Sequence, residues 1–139
     1  MAGPLRVGLV GVGQRGLQHV QALVGMQADE MIQITALADP YPENLEDSKI
    51  NKFVDGYSSA GINMFDSADS MIESGLVDAI WFVIPPNQHK GEIERAAERG
   101  IAILAEKPQS LYLDDIISQD AAITKAGVPS TVGFQMRHD

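Results

Sequence analysis

The sequence predicts an α/β domain in which helices cover both faces of a doubly wound, parallel sheet of six strands. Short apolar runs alternate with stretches of helical length along the whole chain, which is typical of repeated strand–helix–strand units. Some runs, such as residues 79–84, are almost continuously apolar, as expected for strands buried on both faces. The predicted strands are Leu5–Val10, Ile32–Ala38, Ile62–Phe65, Val77–Ile84, Ile101–Ala105 and Ser130–Phe134.

Helix start and stop signals fall between these strands. Pro42 lies at the first turn of a predicted helix, where proline is tolerated. Ser67 can cap the next predicted helix. Gly75 and Gly100 can end helices, because glycine readily adopts the left-handed conformation found there. The predicted helices are Gln14–Val24, Glu43–Lys52, a short one from Ser67 to Ser74, one that Asn87 caps and that stops at Gly100, and one from Asp114 and Asp115 to Lys125, Ala126 and Gly127.

The composition argues against two classes of site. Ten Lys and Arg residues stand against 19 Asp and Glu residues, which gives a net charge of −9. Because nucleic-acid binding needs clustered Lys and Arg, no nucleic-acid partner is predicted. Cysteine is absent, and His19, His89 and His138 lack the spacing of metal ligands. No metal site is therefore predicted.

Length and hydropathy indicate one soluble domain over residues 1–139. The chain has 139 residues, of which 45% are hydrophobic, so it can bury a core but has no room for a second domain. Its apolar runs are too short to cross a bilayer. The first predicted strand begins at Leu5, too early for a signal peptide. The expectation is a cytoplasmic protein without membrane contact.

The segment after the first strand carries a specific chemical signal. It reads Gly11-Val12-Gly13-Gln14-Arg15-Gly16 and leads into a helix and a second strand. In this setting Gly11 permits the turn, Gly13 lets the backbone approach a pyrophosphate, and Gly16 lets the helix pack closely. The unpaired amides at the start of the helix from Gln14 favour a bound anion. The sequence therefore predicts a dinucleotide-binding Rossmann domain.

An acid follows at the end of the second strand. Asp39 lies 23 residues after Gly16, where a carboxylate can accept hydrogen bonds from the adenosine ribose. The same charge would repel the 2′-phosphate of NADP, so NAD is the predicted cofactor and NADP is less favoured. Arg15, in the phosphate loop, could soften this discrimination. The alternative is that Asp39-Pro40 only forms a strand-ending turn.

A second polar group, Glu106-Lys107-Pro108, follows the fifth predicted strand. The carboxyl ends of strands in an open parallel sheet face the crevice in which ligands bind. A lysine there can hold or polarise a substrate hydroxyl and accept its proton as hydride leaves. From spacing alone, a solvated Glu-Lys pair is the alternative.

Taken together, five segments resemble the Gfo/Idh/MocA family, the relatives of glucose–fructose oxidoreductase and inositol dehydrogenase. They are residues 7–16, 36–39, 85–89, 106–108 and 132–137, so the resemblance covers essentially the whole chain. It implies an NAD(P)-dependent oxidoreductase that acts on sugars, cyclitols or related polyols.

The resemblance also implies roles for individual residues. It places Glu106 on the nicotinamide ribose, Lys107 at the hydride-transfer centre as the catalytic residue, and the loop from Pro85 to His89 along the cofactor. Gln135 is expected to approach the nicotinamide. The cofactor-binding residues expected on this basis are Gly11, Gly13, Gln14, Arg15, Gly16, Asp39, Pro85, Asn87, His89, Glu106, Lys107 and Gln135.

The resemblance implies that members of the family continue into a second α/β domain, which this chain is expected to lack. That domain binds the substrate, usually forms the oligomer, and supplies an acidic residue and a histidine for proton transfer. His138 and Asp139 are expected to begin the connection to such a domain rather than to replace that pair. Because substrate positioning supplies much of the rate, we expect a fragment that binds cofactor with little or no turnover.

Two other interpretations fit the same residues. The chain could be a stand-alone module that binds NAD or a partner without catalysis. It could also be a small-molecule methyltransferase, which can place a glycine-rich turn and an acid at equivalent positions. Glu106-Lys107-Pro108 argues against the methyltransferase.

Overall fold

The computed structural model of the chain describes residues 3–137 and contains one sheet of six parallel strands in the order β3-β2-β1-β4-β5-β6. This order confirms the predicted doubly wound sheet. His138 and Asp139 lie outside the described residues. The strands are β1 (Leu5–Val10), β2 (Ile32–Ala38), β3 (Asn63–Phe65), β4 (Ala79–Phe82), β5 (Ala102–Ala105) and β6 (Ser130–Val132). The helices are α1 (Gln14–Ala28), α2 (Asp47–Ile50), α3 (Ala68–Glu73), α4 (Glu92–Glu98) and α5 (Leu113–Ala126), with 3₁₀ turns at Pro42–Leu45 and Gln135–Arg137.

The strand order reverses around β1, which pairs with β2 on one side and with β4 on the other. In open parallel sheets such a reversal leaves a crevice outside the carboxyl ends of the strands, where ligands bind. The turn after β1 and the residues after β2, β4 and β5 all reach this edge.

Two hydrophobic cores hold the helices against the sheet. On one face, Val20 and Leu23 of α1 pack with Leu9 and Leu37 of the sheet, and all four side chains are fully buried. The core on the other face joins Phe82 of β4 to α3 and α4, and α5 packs against it through partly buried residues. Burial of a large apolar side chain stabilises a fold by about 1.5–3 kcal/mol, so these cores fix the strands whose ends form the crevice.

Some predicted helix ends are confirmed. Ser67 caps α3 by accepting a hydrogen bond from the amide of Ser70. Gly127 ends α5 in the left-handed conformation, with φ 68°. The first predicted helix was four residues too short, because α1 continues through Gly25 to Ala28.

Two predicted helices were wrong in outline. The helix expected over Glu43–Lys52 is a 3₁₀ turn followed by the short α2, because Glu46 is extended with ψ 133°. Asn87 does not cap a helix, because α4 begins only at Glu92, after Gly91 adopts a left-handed φ of 83°. Several strands are shorter than predicted, and β4 stops at Phe82 rather than Ile84.

None of the helices between residues 3 and 137 has both the length and the apolar character needed to cross a bilayer.

Candidate functional site

Gly11 and Gly16 shape the turn between β1 and α1, and neither position has room for a side chain. Gly11 has φ 97°, and an added Cβ there would lie 2.1 Å from the carbonyl oxygen of Val83. A Cβ on Gly16 would lie 2.0 Å from the carbonyl oxygen of Gly11. Gly16 thus lets α1 begin directly against the turn, as its predicted packing role requires.

Gly13 differs, because an added Cβ would meet no atom within 4 Å. It is the N-cap of α1, and within the described residues it has no side-chain cap and no acidic residue in the first turn. The first amides of a helix have no intrahelical acceptor, and the dipole makes this end positive. The open space and the uncapped amides together fit a pyrophosphate.

Asp39 is hydrogen-bonded to this turn. Its residue exposure is 5%. Oδ2 accepts a hydrogen bond of 2.8 Å from the amide of Val12, and Oδ1 accepts from the amide of Tyr41 at 2.9 Å and from Nδ2 of Asn44 at 3.0 Å. Nζ of Lys49 in turn contacts Oδ1 of Asn44. The carboxylate has accepting capacity beyond these three bonds, so a contact with a ribose remains a prediction.

A groove of about 440 Å³ runs along the outer side of the glycine turn. Lys49 contributes a cation to it, and Phe53 contributes a ring that is 63% exposed. Its lining comprises Val12, Gly13, Gln14, Leu17, Gln18, Gln21, Lys49 and Phe53.

Glu106 is a buried charged group on the other side of the glycine turn. Its side chain is 8% exposed. Oε1 accepts from Nε of Arg15 at 2.8 Å and bonds Nε2 of His19 at 2.9 Å, while Oε2 accepts from the amide of Lys107 at 2.8 Å. Burial acts to raise the pKa of Glu106, but the hydrogen bonds from His19, Arg15 and the Lys107 amide hold that pKa below its usual range. Glu106 is therefore an ionised acceptor at neutral pH.

A cavity of about 400 Å³ opens beside this carboxylate. It brings together four residues predicted from sequence, and Nη2 of Arg15 donates to Oε1 of Gln135 across it at 3.3 Å. Lys107 is exposed, so its ammonium can reach a ligand. The lining residues are Arg15, Val83, Ile84, Glu106, Lys107 and Gln135.

A family model matches residues 5–134, and its description is an oxidoreductase family with an NAD-binding Rossmann fold, GFO_IDH_MocA. The chain belongs to this Gfo/Idh/MocA family. The match confirms the resemblance and favours an oxidoreductase over a methyltransferase.

Known family members and solved structures resemble the chain over nearly its whole length. It is 36% identical to the rhizopine catabolism protein MocA of Rhizobium meliloti, over 95% of this chain and 38% of that protein. It is 26% identical to scyllo-inositol 2-dehydrogenase (NAD(+)) of Bacillus subtilis (strain 168), over 97% and 37%. The WlbA dehydrogenase from Bordetella pertussis, solved with NADH and UDP-GlcNAcA, superimposes with a TM-score of 0.80 at 25% identity, over 98% and 38%. The chain thus spans less than two fifths of each of these proteins.

The loop from Pro85 to His89 lies beyond Ile84, and among the described residues its members do not line the 400 Å³ cavity. Pro85 and Asn87 are exposed. The side chain of His89 is 4% exposed and hydrogen-bonded through Nδ1 to Glu92, whose side chain is 6% exposed. Burial acts to raise the pKa of Glu92, but the bonds from His89 and from the amide of Lys90 lower it overall. Glu92 therefore orients His89, while the contact of this loop with a cofactor stays a prediction.

Three residues of the site, His19, Asn44 and Glu92, were not predicted from the sequence. Only His19 had a local signal: it lies four residues after Arg15 on α1, and residues four apart share a helix face. Within residues 3–137, no cluster of three or more His, Asp and Glu side chains could hold a metal ion.

Proposed function

We propose that this chain binds NAD within a longer oxidoreductase that transfers hydride between the nicotinamide and a hydroxyl-bearing carbon of a sugar, cyclitol or related polyol. Membership of an NAD-binding oxidoreductase family supports the cofactor. The names of relatives, such as scyllo-inositol 2-dehydrogenase (NAD(+)) and a WlbA dehydrogenase solved with NADH and UDP-GlcNAcA, support the substrate class.

One observation carries the proposal: the uncapped start of α1 lies beside open space at Gly13, between the 440 Å³ groove and the 400 Å³ cavity. The amides of Gln14 and Arg15 would hold the pyrophosphate, because helix starts bind anions. Asp39, after β2, would bind the adenosine ribose, and Glu106, after β5, would bind the nicotinamide ribose. The loop carrying Pro85, Asn87 and His89 would pass along the cofactor.

The chemistry of this chain centres on Lys107. NAD, when bound, supplies the hydride acceptor. The ammonium of Lys107, a residue that lines the 400 Å³ cavity, would hold the substrate hydroxyl and exchange its proton. Gln135, bonded to Arg15, would limit the nicotinamide end of the cavity.

Substrate binding is assigned to the part of the relatives that this chain does not span. Positioning the substrate supplies much of an enzyme's rate. The chain alone is therefore expected to bind cofactor with little or no turnover, and to oligomerise only together with the substrate domain. We expect it to function in the cytoplasm.

The test is a set of fluorescence and calorimetric titrations of the chain with NADH, NADPH and S-adenosylmethionine. We expect saturable binding of NADH, weaker binding of NADPH and no binding of S-adenosylmethionine. Preferential binding of S-adenosylmethionine, or no binding of either nicotinamide nucleotide, would contradict the proposal.

A further inference from the structure

His19 lies on α1 and reaches across the carboxyl edge of the sheet to Glu106, 87 positions later in the chain. Its side chain is only 16% exposed. The ring meets Trp81 of β4 edge to face, with the ring centroids 5.4 Å apart. Two contacts, one apolar and one polar, thus determine where this ring sits.

The hydrogen bond between His19 and Glu106 has a defined direction. Glu106 is ionised, and an ionised carboxylate only accepts hydrogen bonds. The Nε2 atom of His19 must therefore carry the hydrogen of this bond. This leaves Nδ1 on the far side of the ring.

Arg15 also bonds Glu106, but it is more exposed than His19 and has other hydrogen-bond acceptors. Its side chain is 47% exposed, and its guanidinium also donates to Gln18 and Gln135. His19 is more buried and directs Nε2 to Glu106. On the other side of the carboxylate, the backbone at Gly133 is close enough that an added Cβ would lie 3.5 Å from it. Glu106 is thus confined between α1 and the end of β6, and His19 is its enclosed donor.

We propose that His19 is a positioning residue for the nicotinamide end of the site, because it holds the carboxylate whose second oxygen fixes the backbone of Lys107. The link to Lys107 is the 2.8 Å hydrogen bond from its amide to Oε2 of Glu106. The inference rests on the proposed function, in which Glu106 and Lys107 face the nicotinamide. His19 does not itself line the 400 Å³ cavity.

The test compares two substitutions of His19 and two ligands in the 139-residue chain. His19→Phe keeps an aromatic ring against Trp81 but removes the donor, whereas His19→Gln keeps a donor for Glu106. NADH probes the whole site, and ADP probes the half that the glycine turn would hold. We expect His19→Phe to weaken NADH binding about tenfold while ADP binding changes less than about twofold, as for the loss of one hydrogen bond to a charged acceptor. His19→Gln should restore most of the NADH affinity.

Each other outcome has a distinct meaning. Three results would overturn the inference and leave the proposed function standing. They are wild-type NADH affinity in His19→Phe, equal weakening of NADH binding by both substitutions, and weakening of ADP binding in parallel with that of NADH. A wild-type chain that binds neither ADP nor NADH overturns the proposed function, and the inference with it. If His19→Phe does not fold, the nitrogen NMR spectrum of His19 in the wild-type chain decides. A proton on Nε2 supports the inference, and a neutral ring protonated only on Nδ1 overturns it.

Discussion

The carboxylate of Asp39 accepts a 2.8 Å hydrogen bond from the backbone amide of Val12, in the middle of the glycine turn. The acid at the end of β2 thus fixes the loop that follows β1, while its other oxygen accepts from Tyr41 and Asn44. Asp39 stabilises the turn independently of any ribose. Its substitution should therefore affect both folding and cofactor choice.

We expect Asp39→Ser to lower the free energy of unfolding by about 1–3 kcal/mol, because the buried amide of Val12 loses its charged acceptor. It should also weaken NADH binding and narrow the difference between NADH and NADPH, because the charge that repels a 2′-phosphate is gone. Denaturant unfolding measures the first effect, and titrations with the two nucleotides measure the second. Asp55→Ser, at an exposed position, is the control for loss of charge. An unchanged preference for NADH would remove Asp39 from cofactor selection.

The lowered pKa of Glu106 predicts a pH-dependent contribution to stability. Burial alone would raise this pKa, but the donors around the carboxylate lower it. The stabilisation is therefore complete above the ordinary glutamate pKa of about 4.3 and is lost as the pH falls through the lower folded value. We expect Glu106→Gln to lower the free energy of unfolding by about 1–3 kcal/mol at pH 7, with a difference from wild type that shrinks on acidification below about pH 4.

Denaturant unfolding from pH 7 to pH 3 measures this difference. Glu98→Gln is the matched control, because Glu98 is an exposed residue at the end of α4. A difference for Glu106→Gln that stays constant over this range would contradict the assigned charge state.

Gly16 and Gly25 provide a matched test of the turn geometry. A Cβ on Gly16 would overlap the Gly11 carbonyl oxygen, whereas a Cβ on Gly25 would meet nothing within 4 Å. We expect Gly16→Ala to lower the free energy of unfolding by more than about 3 kcal/mol, and Gly25→Ala to raise it by up to about 1 kcal/mol. Thermal or denaturant unfolding distinguishes them. Equal stability of the two variants would mean that α1 does not begin against the turn.

The parts of the fold that follow local patterns were predictable. The bounds of β1 and β2 agree with the sequence prediction at every residue, because each is a mainly apolar run with a clear end. The helix predicted over Glu43–Lys52 was wrong, because Tyr41 and Asn44 turn back to Asp39 instead of continuing a helix.

The predicted site residues came from turn chemistry, strand ends and family resemblance. The contacts between these site residues could not be predicted in the same way, because the contacts join residues that are far apart in the chain. His19 shows the difference: its place on α1 is visible locally, but its partner Glu106 is 87 positions away. Only the sheet order brings that carboxylate to the start of α1.

A pyrophosphate that lies beside Gly13 leaves no room for a larger side chain there, and a NADH titration of Gly13→Val measures this effect. Gly25→Val is the control, because both glycines are exposed and an added Cβ meets no atom within 4 Å at either position. We predict that Gly13→Val lowers the affinity for NADH by at least about tenfold, with the unfolding temperature retained and with wild-type affinity in Gly25→Val. Wild-type NADH affinity in a folded Gly13→Val chain would mean that the pyrophosphate does not lie beside Gly13.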